Sequence, residues 1–273
     1  LVRGEFETDG WVDAAPINVI GIDAMERLLI EDHIESACPA SAQLIREGQW
    51  SSFNEDASRA EEQRWAYLSV LAAGLRSKLL NLGSKWDGSF GQAFVEASAP
   101  FSSQRDVIDQ VFAGIYYVDE MVKDLKLGAP AGIYMTCLQD ICPEQLELRA
   151  DGLSALAIVQ NLETTLAVFR GELLAFDGAP IESLSAEDRE PVGLSDLLIA
   201  EGAEELANSL ESGLEDALVE LRELESLKVS LTEDLGRVTE IHRSIKAVSD
   251  LMKSQMVTVL NLSVPQEGAG DND

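Results

Sequence analysis

The chain has 273 residues, 46% of them apolar, and 49 acidic against 20 basic side chains give it a formal net charge of −29. At roughly 100–200 residues per domain this is one large domain or two small ones, with enough apolar material to bury a core without disulfides or metals. No Lys/Arg stripe is present to neutralise a phosphate backbone, which excludes nucleic acid as a partner, and an anionic membrane surface repels a chain of this net charge.

The acidity serves solubility or creates a field that attracts cations, and composition leaves both readings open. No apolar run approaches the roughly 20 residues of a membrane span. No signal peptide opens the chain, and Leu1 in place of an initiator Met implies processing or trimming, with room for a signal or anchor upstream.

Residues 17–31 place Ile20, Ala24 and Leu28 on one helical stripe with Met25 and Leu29 beside it, and Gly21 marks the start of that helix. Residues 56–86 form the clearest long helix, with Trp65, Leu68, Ala72, Leu75, Leu79 and Leu82 recurring every three or four residues and Asp87-Gly88 ending it. A short helix over 89–98 and a long one over 103–127 follow. The long one carries a stripe of Val107, Val111, Ile115, Val118, Val122 and Leu125, and Gly128-Ala129-Pro130 stops it. Residues 133–143 read as a connection and as the domain boundary.

A helix then runs to Arg170 with Leu153, Leu156, Ile158, Leu162, Leu166 and Phe169 on its apolar face. Residues 177–192 read as a loop, 193–230 and 232–261 as two more long helices, and the last thirteen residues as a polar tail or cap. Hairpin signals are almost absent. The expected fold is all-α: two up-and-down helical bundles packed together, residues 1–132 and 133–273.

Three cysteines allow at most one internal bridge. Cys137 and Cys142 either close a small ring in an oxidising compartment or remain thiols, and Cys38 is left over. Nucleophile elbows, Walker loops, zincin helices and dinucleotide loops are all missing. Only His33 and His242 are available for a Ser-His-Asp site, and nothing near them in sequence supports one.

The segment 21–33 is richer. Asp23 and Glu26 lie three apart on one helix, where two carboxylates can ligate a hard cation, with His33 as a nitrogen ligand if the chain folds back. The alternative is electrostatic support of a helix N-terminus by Asp23 and a solvated or ion-paired Glu26. Trp65, Trp86, Tyr116 and Tyr117 are candidates for lining a pocket or for ordinary core.

The stretch Val19 to Asp32 (VIGIDAMERLLIED) resembles the signature region of the imelysin-like family, in which Gly-x-His-x-x-Glu opens a helix. Gly21 and Glu26 match, and Asp23 stands where the family has His. EMVKDLKLGAPAG (Glu120 to Gly132) is similar to the family's Leu-Gly-x-Pro-x-Gly segment. Glu147, Ser154 and Asn161 match its Glu…Ser…Asn-Leu helix, and GLSDLL (Gly193 to Leu198) and the closing GAGDND also agree. The likeness spans most of the chain from about residue 15.

The resemblance implies a periplasmic or lipid-anchored protein of two duplicated bundles, associated with iron uptake and its membrane components. It further implies a pocket near the junction of the bundles, with Asp23, Glu26 and His33 as metal ligands and Glu120, Lys126, Glu147, Ser154 and Asn161 around the ligand. Carboxylate at 23 favours harder cations than imidazole does, so iron or another divalent cation suits the variant motif better than zinc. Three function classes follow: a binding protein of metal or small ligand, a metallopeptidase-like enzyme, and a non-catalytic interaction protein. A metallopeptidase needs about three protein ligands and a polarised water, a set the sequence does not offer in one place.

Overall fold

The computed structural model of the chain describes residues 15, 20–30, 39–148, 152–172 and 192–264. Every regular element among them is helical, as the hydrophobic periods predict. Two compact units are present, Leu1–Glu96 and Ala97–Asp273. The sequence places the boundary at 132/133 instead; the connection over 133–143 lies inside the second unit, where the Cys142 N–H donates to the Pro130 carbonyl (2.9 Å).

The first unit holds α1 (Ile22–Ile30), α2 (Gln43–Arg46), α3 (Gln49–Glu55), α4 (Ala57–Trp86) and α5 (Ser89–Glu96). Asp56 starts α4 by accepting the Arg59 N–H (3.1 Å), satisfying one of the free donors of a helix N-terminus. The small core of this unit is Leu28 of α1 against Leu68 and Leu71 of α4, with Ile20, Ala24, Met25 and Tyr67 packed on it. Arg64 Nε donates to the Leu28 carbonyl (2.8 Å) and ties the two helices together. The rest of the predicted α4 stripe is not core: Trp65, Leu79 and Leu82 are exposed.

The second unit opens with α6 (Gln104–Ile115), whose Ser103 cap accepts the Asp106 N–H (3.2 Å). A π-helical segment, Val118–Gly128, follows. Next come α7 (Ser154–Arg170), α8 (Leu194–Ala200), α9 (Glu204–Arg222), α10 (Leu227–Glu233), α11 (Leu235–Leu251), a second π segment (Met252–Met256) and α12 (Val257–Leu260). The first π segment, α7, α9 and α11 close a ring: the π segment meets α7 and α11, and α9 meets both. Val118, Val122, Ile158, Leu162, Phe169, Leu210, Leu214, Val238, Ile241 and Ile245 fill it. Each such side chain contributes about 1.5–3 kcal/mol by leaving water, so among the described residues this ring holds most of the hydrophobic stabilisation.

Three sequence expectations shift here. The helix expected over 103–127 changes to i→i−5 bonding after Tyr117 (Ala129 N–H to the Asp124 carbonyl, 2.6 Å). The helix expected over 193–230 breaks at Gly202, where φ is +81°, and again before Leu227, and that over 232–261 starts afresh at Asp234. Leu153 and Leu156 face solvent although their neighbours Ile158 and Leu162 are core. Gly171 ends α7 in the left-handed region (φ +74°), and a Cβ there would stand 2.6 Å from the Gly193 N. The end of α7 and the start of α8 thus touch backbone to backbone, which only glycines allow.

Candidate functional site

The first π segment carries two polar clusters on its two sides. The outer one centres on Lys126. Its Nζ donates to Asn161 Oδ1 on α7 (2.8 Å) and pairs with Glu147 Oε2 (2.9 Å), and it stands 5.6 Å from the centre of the Tyr117 ring. Ser154 Oγ, at the first residue of α7, donates to the Glu147 carbonyl and so fixes the short turn that presents Glu147. The Lys126 side chain is 13% exposed and that of Glu147 40%, so the cluster opens to solvent on the Glu147 side.

An ammonium has three donors. Two are held by Asn161 and Glu147, and the Tyr117 ring faces the same ammonium. Exposed ion pairs contribute about 0–1 kcal/mol, so the arrangement orients a cation more than it stabilises the fold. Of the five ligand-contact residues expected from sequence, four are brought together: Lys126, Glu147, Ser154 and Asn161. Glu120 is half-buried on the same π segment and makes no hydrogen bond or ion pair with any of them.

The inner cluster was not foreseen. Lys123 is fully buried, with Nζ 3.3 Å from Asp119 Oδ1 and 3.1 Å from Asp124 Oδ1. Asp119 also accepts from Tyr116 Oη (2.9 Å), and Lys253 Nζ of the second π segment lies 4.0 Å away. Burial pushes the Asp119 carboxyl up, but the Lys123 charge and hydrogen bonds from Ser249, Tyr116 and Lys123 outweigh it and hold the group below its ordinary value.

On α11, His242 Nε2 is buried 3.9 Å from Asp124 Oδ1 with no hydrogen-bond partner. A Cβ on Gly128 would stand 3.2 Å from that nitrogen and 3.0 Å from the Lys123 carbonyl, so glycine at 128 is what lets the π segment lie against His242. The sequence signal for this cluster is the Asp119/Lys123 pair, four apart, interrupting a stripe of Val118 and Val122.

Asp23 and Glu26 sit one turn apart on α1 in the first unit, and Glu26 is half-buried. His33 lies outside the described residues, as does Cys38. Among the described residues no three His, Cys, Asp or Glu side chains gather as a metal-ligand group. Of the four aromatic candidates, Tyr116 is core, Tyr117 flanks Lys126, and Trp65 and Trp86 are exposed on α4.

Cys137 and Cys142 form a disulfide that closes the connection after the π segment. A separate groove of about 530 Å³ runs between α7 and α9, floored by Leu166, Ala167 and Leu218. Its arginines are already occupied, Arg170 by Glu211 and Glu215 and Arg222 by Glu163. No family model, curated protein or solved structure matches this chain.

Proposed function

We propose that this chain is an imelysin-like binding protein of the periplasm, associated with iron or other metal uptake. It holds a metal ion or small ligand in a pocket of a duplicated helical-bundle architecture, with Lys126, Glu147, Ser154 and Asn161 forming one wall. One observation carries the reading. Four residues picked by resemblance from two stretches of sequence are linked: Asn161 and Glu147 hold the Lys126 ammonium, and Ser154 fixes the turn that presents Glu147. The Cys137–Cys142 disulfide supports an oxidising compartment. Asp23 and Glu26, in the first unit, are a separate candidate pair of oxygen ligands for a hard cation.

Equilibrium dialysis against Fe³⁺, Fe²⁺, Cu²⁺ and Zn²⁺, with citrate as the small acidic ligand, tests it. Wild type is expected to retain iron or citrate, Lys126→Ala to lose citrate by at least tenfold, and Glu26→Ala to lose the metal. Retention equal to that of an unrelated acidic helical protein sinks the proposal.

A further inference from the structure

We propose that the C-terminal half of α4, residues 75–86, is a docking face for the surface of an anionic phospholipid bilayer. Leu75, Leu79, Leu82 and Trp86 follow at steps of four, three and four residues and so form one stripe along the helix. The same stripe begins with Leu68 and Leu71, which α1 covers. Beyond them it is bare: Leu79 is 58% exposed, Leu82 52% and Trp86 47%, and every residue from 76 to 89 is exposed. Trp86 packs edge-on against Phe90 and Phe94 of α5, at 5.0 and 5.4 Å between ring centres, which puts an aromatic cluster at the end of the stripe.

The charge around this stripe is opposite to that of the chain. From Gln63 to Trp86 there is no acidic residue, while Arg64, Arg76, Lys78 and Lys85 are present, in a protein of net charge −29. Arg76 flanks the stripe on one side, and Lys78 and Lys85 on the other; Ser77, Asn81 and Ser84 lie opposite it. Leu and Trp on one face with Lys and Arg beside it is the pattern of a helix lying in a bilayer interface. Ordinary salt screens charges over about 8 Å, so the basic flanks set the local attraction along the stripe, and Asp87, just past Trp86, is the nearest acidic residue in sequence.

Net charge alone argues against an anionic surface; the distribution along α4 reverses that argument locally. The face is the surface of a single long helix, and a fluid bilayer surface needs no shape match to receive it. A second copy of the chain is disfavoured because both flanks of the stripe are basic, so pairing two stripes sets like charges together. No helix among the described residues is long and apolar enough to cross a membrane, and the contact proposed is one of lying on the surface.

Flotation of the full chain with vesicles tests the proposal. It is expected to float with vesicles of phosphatidylcholine mixed with phosphatidylglycerol and to stay down with phosphatidylcholine alone. Arg76→Gln/Lys85→Gln lowers the partition by about fivefold per charge removed. Leu79→Ser/Leu82→Ser abolishes it, while far-UV circular dichroism keeps the wild-type helix content. Emission of the bound protein shifts to the blue, and the shift is lost in Trp86→Phe. The proposal is overturned by absence of flotation with either vesicle, or by flotation of the charge and leucine variants equal to that of wild type. It is also overturned if sedimentation shows dimers, or complexes with an acidic protein, that depend on Leu79 while no vesicle binds.

Discussion

Helices α4 and α9 have the same kind of apolar stripe and opposite fates. Along α9, Leu206, Leu210, Leu214, Leu218 and Leu221 are buried from end to end because α7 and α11 flank the helix on both sides. Along α4 only Leu68 and Leu71 are buried, under α1, and the stripe then continues into solvent. A hydrophobic period therefore specifies which face of a helix is apolar. What covers that face is decided by neighbours that the period does not name.

The same contrast holds for charge. The second unit buries Asp119, Lys123 and Asp124 inside its ring, where they must satisfy one another, whereas Arg76, Lys78 and Lys85 of α4 are exposed. The largest expected effect follows from this. Lys123→Ala leaves two carboxylates buried without their cation and is expected to cost about 3–5 kcal/mol in urea unfolding. A loss below about 1 kcal/mol would mean that water reaches this cluster.

The leucine pair measures the contrast directly. Leu162→Ala in the ring is expected to cost about 2–5 kcal/mol. Leu79→Ala on α4 is expected to change stability by no more than about 0.5 kcal/mol. Equal costs would show that α4 has a cover in solution.

Gly128→Ala comes next. Its Cβ meets the Lys123 carbonyl and the His242 ring, and overpacking of this kind costs about 1–3 kcal/mol. The expected readout is a lower thermal midpoint with the helix content kept.

Acid is a gentler probe of the same cluster. The Asp119 carboxyl titrates below its ordinary value in the folded protein, so the stability it supplies is fully present above the unfolded value, about 3.9. That stability is lost as pH falls through the lower folded value. Asp119→Asn is expected to flatten this acid limb of a stability–pH curve, and an unchanged limb would remove Asp119 from the account.

The all-helical fold was legible because helix starts and stops carry local chemistry. Asp56, Ser103 and Gly171 each mark a boundary in sequence and act as caps in the structure. The breaks at Gly202 and Asp234 were missed because neither carries a proline and the apolar period runs through both. The Lys126 cluster was legible only through resemblance, since Glu147, Ser154 and Asn161 lie 21 to 35 residues from Lys126 in sequence. The inner cluster was not legible at all. Placing Asp119, Lys123 and Asp124 inward depends on the π-helical bonding of this segment, and a 3.6-residue period turns them outward.

Amide hydrogen exchange on the intact chain tests the contrast most directly. Amides of Val118–Gly128, α9 and α11 are expected to exchange at the rate of global unfolding, and those of residues 76–86 through local fraying at a far lower protection. Equal protection of the two regions, or rapid exchange in the π segment, would contradict it.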